Sequence, residues 1–429
     1  MSIKIAIIGS GPSAFYTVQN LLKADINCEI DIIEKIFSPY GLIRYGVAPD
    51  HQSTKNVIRV FERALLNENV QYFGNVEVNK TPSIEQLTNI YDAVVIATGM
   101  SKDRSLNINE NEIKGCYGAT EFVNWYNGHP HYKELNPNLN TKTAVIIGNG
   151  NVAIDCARLL VKNKEELQNS DITTYAHKSL LNSKIEKVYI IGRRGPLDAK
   201  FTTVEIREMG ELLDCNAVLS NGTIRNIDQN LLNDDLAKQY KILTNFPELK
   251  NLKNDKKKIV EFKFYNSPVE ILGNDQITGV KLKNNFSDKN DNEYNIIDCG
   301  ILISAIGYEG NKIPEIKMDD SGMILHKDNI IKNGLYTVGW ASRGPTGVIG
   351  TNKHDGAKVA QHIINDIKES NKPGRTKLKE LIINNTIDYI SKEEWILINK
   401  EEINRSTGSF PRSKFTSNEE VYHFLKNSK

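Results

Sequence analysis

The sequence predicts an α/β protein built from two similar folds, one inserted into the other, and three observations predict it. A strand–glycine-turn–helix pattern opens the chain: Ile3 to Ile8 is a continuous apolar run, Gly9-Ser10-Gly11-Pro12-Ser13-Ala14 is the turn, and a helical pattern runs on through Leu22. The pattern recurs at Ala144 to Ile147, followed by Gly148-Asn149-Gly150-Asn151-Val152-Ala153 and a helix to about Leu160. Two further buried runs echo each other, Tyr91 to Gly99 (YDAVVIATG) and Gly300 to Gly307 (GILISAIG), each ending in glycine.

Short, continuous apolar runs are what strands buried on both faces of a parallel sheet require. A strand–turn–helix unit that occurs twice implies two dinucleotide-binding, Rossmann-like domains. The two echoes mark where the chain leaves and re-enters the first of them. The predicted boundaries are therefore 1–102 for the first part of one domain, 103–306 for the inserted domain, and 307–429 for the second part with a C-terminal tail.

The first turn suits a pyrophosphate. A helix N-terminus offers free N–H groups and partial positive charge to an anion. Gly9 permits the tight turn, Gly11 lets the backbone approach phosphate, and Ala14 stands where a third small residue allows close helix–strand packing. The next strand, Ile30 to Ile33, ends in Glu34, placed to accept hydrogen bonds from ribose hydroxyls. In the second unit Gly148, Gly150 and Ala153 repeat the logic, but the strand Val188 to Ile191 leads into Gly192-Arg193-Arg194-Gly195-Pro196. Guanidinium groups pair bidentately with phosphate, so Arg193 and Arg194 fit the 2′-phosphate of NADP. These arginines lie further along the chain than such a pattern normally places them, so 163–187 is expected to be an insertion or a longer helix.

Composition adds limits. The chain has 429 residues, 39% hydrophobic and 25% charged, with a formal net charge of +1. That is an ordinary globular composition and gives no global pull toward nucleic acid. No apolar run approaches the length of a membrane span. The five cysteines, Cys28, Cys116, Cys156, Cys215 and Cys299, are scattered without a C-x-x-C, which suits small buried thiols in a reducing compartment. With Ile3 already opening a strand, a cytoplasmic protein is expected; a mitochondrial matrix location is the alternative if a precursor segment was removed. His129-Pro130-His131 has no third ligand at sensible spacing, so no metal site is expected. The polar stretches 163–187 and 220–260 and the run Lys256-Lys257-Lys258 read as solvated surface. The tail 370–429 is mostly polar, with Trp395 and Phe415 available to pin it.

Four ordered blocks carry a family resemblance: PYGLIRYGVAPDHQSTKNV at 39–57, GNGNVAIDCARLL at 148–160, GRRGPLDAKFTTVEIREM at 192–209 and VGWASRGPTGVIGTNK at 338–353. The chain resembles the adrenodoxin-reductase-like ferredoxin–NADP⁺ reductases, more faintly in the tail at Trp395 and Lys414-Phe415-Thr416. Ala341-Ser342 and Lys200 depart from the family pattern. The resemblance implies FAD on Gly9, Gly11, Ser13, Ala14, Glu34, Leu42 and Val78, with Trp340 and Gly347-Val348-Ile349 against the flavin ring. It implies NADP(H) on Gly148, Asn149, Gly150, Asn151 and Val152, with its 2′-phosphate on Arg193 and Arg194, and Glu205 and Gly347 toward the nicotinamide. His51 and Glu208 look like a family pair beside the flavin that tunes charge or hydrogen bonding without forming bonds.

The implied activity is that of an FAD-dependent oxidoreductase of the EC 1.18.1 type. It passes hydride from NADPH to FAD, then single electrons to a ferredoxin-type iron–sulfur protein. A flavin is needed because hydride brings two electrons and a ferredoxin accepts one. The partner is expected to be acidic and to dock transiently on a basic face, with Arg207 a candidate; a monomer is the default. A thioredoxin-reductase-like enzyme would need a C-x-x-C, and a glutamate-synthase-like subunit an N-terminal cysteine cluster; neither is present. Nothing matches the linker motif of flavin monooxygenases. Diaphorase activity toward quinones or dyes remains open as a side reaction. A non-catalytic redox sensor would show the same loops, and only turnover with a one-electron acceptor separates it.

Overall fold

The computed structural model describes all residues except 1, 25, 80, 110–112, 222, 224–231, 253–255, 286–293, 368–370 and 429. The chain divides into two compact units. Unit 1 is Met1–Lys102, Asn127–His131 and Tyr308–Lys429; unit 2 is Asp103–Tyr126 and Tyr132–Gly307.

Unit 1 is built on a seven-stranded sheet in the order Ile330–Lys332, Leu335–Thr337, Ala93–Ile96, Ile3–Ile8, Cys28–Ile33, Val70–Gly74, Ile390–Ser391. The five inner strands pair in parallel and the two edges antiparallel. Successive residues of a strand point to opposite faces. Ile5, Ile7, Ile30 and Ile32 enter one apolar cluster, while Ala6, Ile8, Ile33 and Val94 enter another. Both faces are covered, which is why the runs are apolar without alternation. On the first face the helix Pro12–Lys23 packs against Asn352–Asp366. They approach at Gly356, where a Cβ would lie 2.7 Å from the backbone of Tyr16 and Thr17.

The tail is part of this unit's core. Trp395 and Phe415 are buried in the same cluster as Phe15 and Tyr40. Arg375 donates to Asp31 at 2.6 Å, and the Lys392 ammonium donates to the carbonyls of Asn67 (3.1 Å) and Val70 (2.7 Å). Asn127–His131, which lies within 103–306, also belongs to unit 1. The Asn127 amide donates to the carbonyls of Tyr45 and Val47, both at 3.1 Å. Lys55 and Lys414 donate to its side-chain and main-chain oxygens at 3.1 and 3.0 Å.

Unit 2 has a six-stranded parallel sheet in the order Cys116–Gly118, Ile301–Ser304, Thr143–Ile147, Lys187–Ile191, Lys258–Lys263, Cys215–Leu219. A three-stranded antiparallel sheet, Asn266–Leu272, Gly279–Asn284 and Tyr294–Asp298, accompanies it. Val145, Ile147, Ile191, Val280, Leu282 and Leu302 share one cluster.

Three surface expectations need correction. Segment 163–187 is an insertion rather than a longer helix, since the helix from Asn151 ends at Val161. It is not a solvated excursion either, because Leu167, Ser170, Ile172, Leu180 and Ile185 are buried. Within 220–260 residues 222, 224–231 and 253–255 lie outside the described residues, but Asp234–Thr244 is a helix that buries Tyr240 and Leu243. The lysine run splits. Lys256 donates to Leu212 O at 2.6 Å and Lys258 to Leu160 O at 3.3 Å, while Lys257 stays exposed. Burial holds the Lys258 ammonium below its usual pKa.

Candidate dinucleotide sites

The two glycine turns are built alike. In unit 1 Gly9 N–H donates to Ile33 O at 2.8 Å and Ala97 N–H to Ile8 O at 2.8 Å. In unit 2 Gly148 N–H donates to Ile191 O at 2.9 Å and Ala305 N–H to Ile147 O at 2.7 Å. Gly9 has φ +100° and a Cβ there would meet Ala97 O at 2.6 Å; Gly148 has φ +129° and its Cβ would meet Ala305 O at 2.2 Å. An alanine carbonyl two residues before the final glycine of each echo run, Ala97 and Ala305, therefore occupies the space a side chain would need, and only glycine fits.

Each turn opens a helix of useful length, Pro12–Lys23 and Asn151–Val161. Gly11 and Gly150 stand at their N-caps with no side-chain cap bond. The first-turn N–H groups are left to an outside acceptor. A Cβ on Gly11 would meet nothing within 4 Å, so the approach to the first helix is open.

The two units part company at the end of the next strand. Glu34 is buried, its Oε2 accepting from Ser10 N–H at 3.0 Å and Ser10 O–H at 2.7 Å, its Oε1 from Ile36 N–H at 3.4 Å. All three donors are neutral. At the matching place in unit 2, Gly192 has no room for a Cβ, which would fall 2.7 Å from Asn149 Nδ2. Arg193 and Arg194 beyond it are exposed, and Arg194 reaches Asp198 at a loose 3.6 Å. The next segment is tied to the glycine turn by Lys200 N–H to Asn149 O (3.0 Å) and Thr202 N–H to the Asn151 side chain (2.8 Å). Asn149 and Asn151 thus serve the loop's own architecture. Lys200, a departure from the family pattern, contributes its backbone while its side chain is exposed.

Sequence reasoning passed over Arg158. It is fully buried on the helix Asn151–Val161 and binds Asp155 at 2.6 Å, Glu205 at 3.2 Å and Glu208 at 3.4 Å. Both glutamates lie on the helix Thr203–Gly210, so one guanidinium orients the pair. Arg207 on that helix is exposed. Cys156 beside Arg158's turn is buried, and burial, then the Asp155 charge, holds its thiol well above the usual range. A thiolate role is not served there.

In unit 1 the Trp340 indole N–H donates to Thr346 O at 3.1 Å, and its ring lies 5.5 Å from Tyr308, tilted by 32°. Trp340 is half-buried, not a core residue. The loop beyond it turns at Gly344 (φ +82°) and Gly347 (φ +80°), leaving Val348 exposed. Gly339, just before Trp340, would place a Cβ 2.6 Å from the Ser13 side chain, so this loop begins beside the first glycine turn. Leu42 comes after Gly41, whose Cβ would be 3.0 Å from Gly11 Cα. Val78 shares an apolar cluster with Ile8 and Ile33, which end the first two strands. His51 is half-buried ahead of the short helix Gln52–Lys55.

Comparison with known proteins shows the family. Residues 3–209 match the pyridine nucleotide-disulphide oxidoreductase family. The chain is 37% identical over 383 residues to the NADPH-ferredoxin reductase FprA of Mycobacterium tuberculosis, covering 85% of this chain and 84% of that one. It is 33% identical over 455 residues to the mitochondrial NADPH:adrenodoxin oxidoreductase of Mus musculus, covering 98% and 91%. The chain belongs to the adrenodoxin-reductase-like ferredoxin–NADP⁺ reductases. The structure of M. tuberculosis FprA in complex with NADPH superposes with a TM-score of 0.92 at 32% identity over 99% of both chains.

Membership implies FAD and NADPH, and the residues present fit both. The open face at Gly11, the uncapped helix and the buried Glu34 acceptor suit a dinucleotide diphosphate and ribose in unit 1. The second uncapped helix with two exposed arginines suits a dinucleotide bearing an extra phosphate in unit 2. Within this family, Ser342 is explained by its surroundings. Its hydroxyl accepts from Asn329 Nδ2 at 2.9 Å and lies 2.8 Å from His326 Nε2, anchoring the segment that carries Trp340. Among the described residues no helix is long and apolar enough to cross a membrane.

Proposed function

We infer that the protein is an FAD-dependent ferredoxin–NADP⁺ reductase, taking hydride from NADPH and delivering single electrons to a ferredoxin-type iron–sulfur protein. One observation carries this reading: two glycine-turn folds of the same design, one ending in a buried carboxylate and the other in exposed arginines. The relatives' names supply the acceptor.

FAD, when bound, supplies the conversion between a two-electron donor and a one-electron acceptor. The chain's task is to bind and orient. In unit 1 Gly9, Gly11, Ser13 and Ala14 receive the diphosphate at the Pro12–Lys23 helix, and Glu34, held by Ser10, accepts the ribose hydroxyls. Leu42, Val78, Trp340 and the 347–349 loop line the flavin end, Trp340 being held by its bond to Thr346. In unit 2 Gly148 to Val152 receive the NADP diphosphate, and Arg193 and Arg194 take the 2′-phosphate. Glu205, oriented by Arg158, serves the nicotinamide half, as does Gly347. The resemblance gives His51 and Glu208 a tuning role. His51→Gln with an unchanged flavin potential and hydride-transfer rate would sink that assignment.

We place electron exit on a basic face that includes exposed Arg207, docking an acidic partner transiently. Partner reduction should then slow as ionic strength rises. All five cysteines are free, which suits a reducing compartment and so both the cytoplasmic reading and the mitochondrial-matrix alternative.

Anaerobic titration with NADPH and, in parallel, NADH tests the whole. Preferential bleaching of a yellow flavin band by NADPH supports FAD, the NADP site and hydride transfer together. A band bleached equally by both removes the role given to Arg193 and Arg194. A protein that takes up no FAD overturns the reading.

A further inference from the structure

A buried ion pair joins the C-terminal segment to the loop that faces the first glycine turn. Glu402, on the helix Lys392–Asn404, is fully buried. Its carboxylate receives both terminal nitrogens of Arg44, one at 2.9 Å and the other at 2.5 Å. It also accepts from Phe415 N–H at 2.9 Å and Arg412 at 3.2 Å. Arg44 is itself buried, with its guanidinium 5.4 Å from the ring of Trp395 and 5.3 Å from that of Tyr45. Burial alone would raise the Glu402 carboxyl; the Arg44 charge, joined by Arg412, more than reverses this.

The next link is the turn that carries Arg44. Residues Leu42–Tyr45 form a single helical turn closed by Arg44 and Tyr45 N–H groups on Gly41 O, both at 3.0 Å. Tyr40, at φ +83°, donates its N–H to Ser10 O at 3.0 Å. Gly41, at φ +48°, passes so close to Gly11 that a Cβ would sit 3.0 Å from its Cα. Ser10 is the residue that holds Glu34. A continuous path of hydrogen bonds and close packing therefore runs from Glu402 through Arg44 and the 40–45 turn to the glycine loop.

We propose that Glu402 is a positioning residue for FAD: by clamping Arg44 it presses the Tyr40–Tyr45 turn onto the Gly9–Gly11 loop, so the C-terminal segment sets how tightly the flavin nucleotide is held. The proposal rests on the reading that unit 1 holds FAD. Two features separate this pair from ordinary stabilisation. A buried ion pair is a poor device for stability alone, since apolar residues of equal volume do as well or better. And its arginine belongs to the turn that touches the nucleotide loop, not to a remote surface.

Purified holoprotein is compared with Glu402→Gln, Arg44→Lys and Arg412→Met. FAD dissociation is read from the fluorescence of released flavin, NADP⁺ binding by calorimetry, and the melting temperature on the FAD-free proteins. A flavin band in the wild type secures the underlying reading, and its absence even after FAD is added sinks that reading rather than the clamp. Glu402→Gln and Arg44→Lys are expected to weaken FAD binding by roughly tenfold or more, because a lost fork leaves buried polar groups unpaired. NADP⁺ binding should stay within about twofold, as expected of independent sites. Arg412→Met, whose hydrogen bonds reach Glu402 and Asn399 rather than the turn, should keep FAD as the wild type does. If Glu402→Gln fails to fold, Arg44→Lys decides, since it keeps the charge and removes only the fork. Wild-type FAD affinity in the folded variants overturns the proposal. So does a loss of FAD affinity that only tracks a fall in the FAD-free melting temperature, or an equal loss in Arg412→Met.

Discussion

Units 1 and 2 use one backbone design for two electrostatic problems. In both, a glycine at positive φ yields its Cβ space to a carbonyl from the neighbouring strand, and the helix that follows has no side-chain cap bond. The difference is confined to the end of the next strand. In unit 1 that position is a buried glutamate satisfied by neutral donors; in unit 2 it is a glycine followed by a pair of exposed arginines. On the proposed reading, the backbone would recognise what two dinucleotides share, and the side chains at one strand end what distinguishes them. Specificity would then need few residues, because main-chain groups at a helix N-terminus suit the shared diphosphate.

The strongest way to break the comparison is to fill the shared carbonyl site in one unit at a time. Gly148→Ala puts a methyl 2.2 Å from Ala305 O at a φ that disfavours any side chain. NADPH-driven flavin bleaching should be lost by roughly a thousandfold or more, since several kcal/mol of strain fall on the binding turn. FAD should stay bound. Gly9→Ala should do the reverse, abolishing FAD uptake while NADP⁺ calorimetry still detects the second site. Loss of both ligands in either variant would mean that the two turns are not independent devices.

The distinguishing position is tested next. Arg193→Ala/Arg194→Ala should lower kcat/KM for NADPH by roughly a hundredfold, the worth of one to two charge-assisted phosphate contacts. NADH turnover should change by less than about threefold, because NADH has no 2′-phosphate for them to hold. Stopped-flow reduction with each coenzyme measures it. Glu34→Gln should weaken FAD by roughly tenfold, a smaller effect, since an amide keeps one acceptor but loses charge. It should leave the coenzyme preference alone.

Much of this was legible in the sequence for physical reasons. Glycines forced by close approach and a carboxylate at a strand end are local signals at fixed offsets, and the pair of arginines is a local signal just past the end of the strand Lys187–Ile191. The echo strands at 91–99 and 300–307 are recognisably equivalent in sequence, and the cause lies in the fold: the Ala97 and Ala305 carbonyls pack on Gly9 and Gly148. Arg158 was not legible. A single arginine in an apolar helix usually extends to water, and nothing local says that Asp155, Glu205 and Glu208 will converge on it. Arg44 and Glu402 are 358 residues apart in the chain. The 163–187 insertion looked polar because few apolar residues hold it, yet Leu167, Ile172, Leu180 and Ile185 among them are buried.

The last expected effect concerns acid and separates the units by sign. In unit 1 burial, with His131 and Lys35 adding to it, pushes His129 from 6.5 down to about 3. Its ring is packed against Tyr45 at 4.9 Å and accepts from His131 N–H. A lowered basic group favours folding while neutral, so its contribution is present above 6.5 and is lost as pH falls toward 3. In unit 2 burial pushes Asp103 from 3.8 up to about 6, against the hydrogen bonds from Thr120. A raised acid favours folding while protonated, so its contribution is present below 3.8 and is lost as pH rises through 6. His129→Asn should therefore flatten the acid loss of stability between pH 6.5 and 3, whereas Asp103→Asn should stabilise the protein at about pH 7 relative to about pH 4. Thermal melts across that range read both. Parallel shifts in the two variants would show that the two buried groups do not titrate as their surroundings dictate.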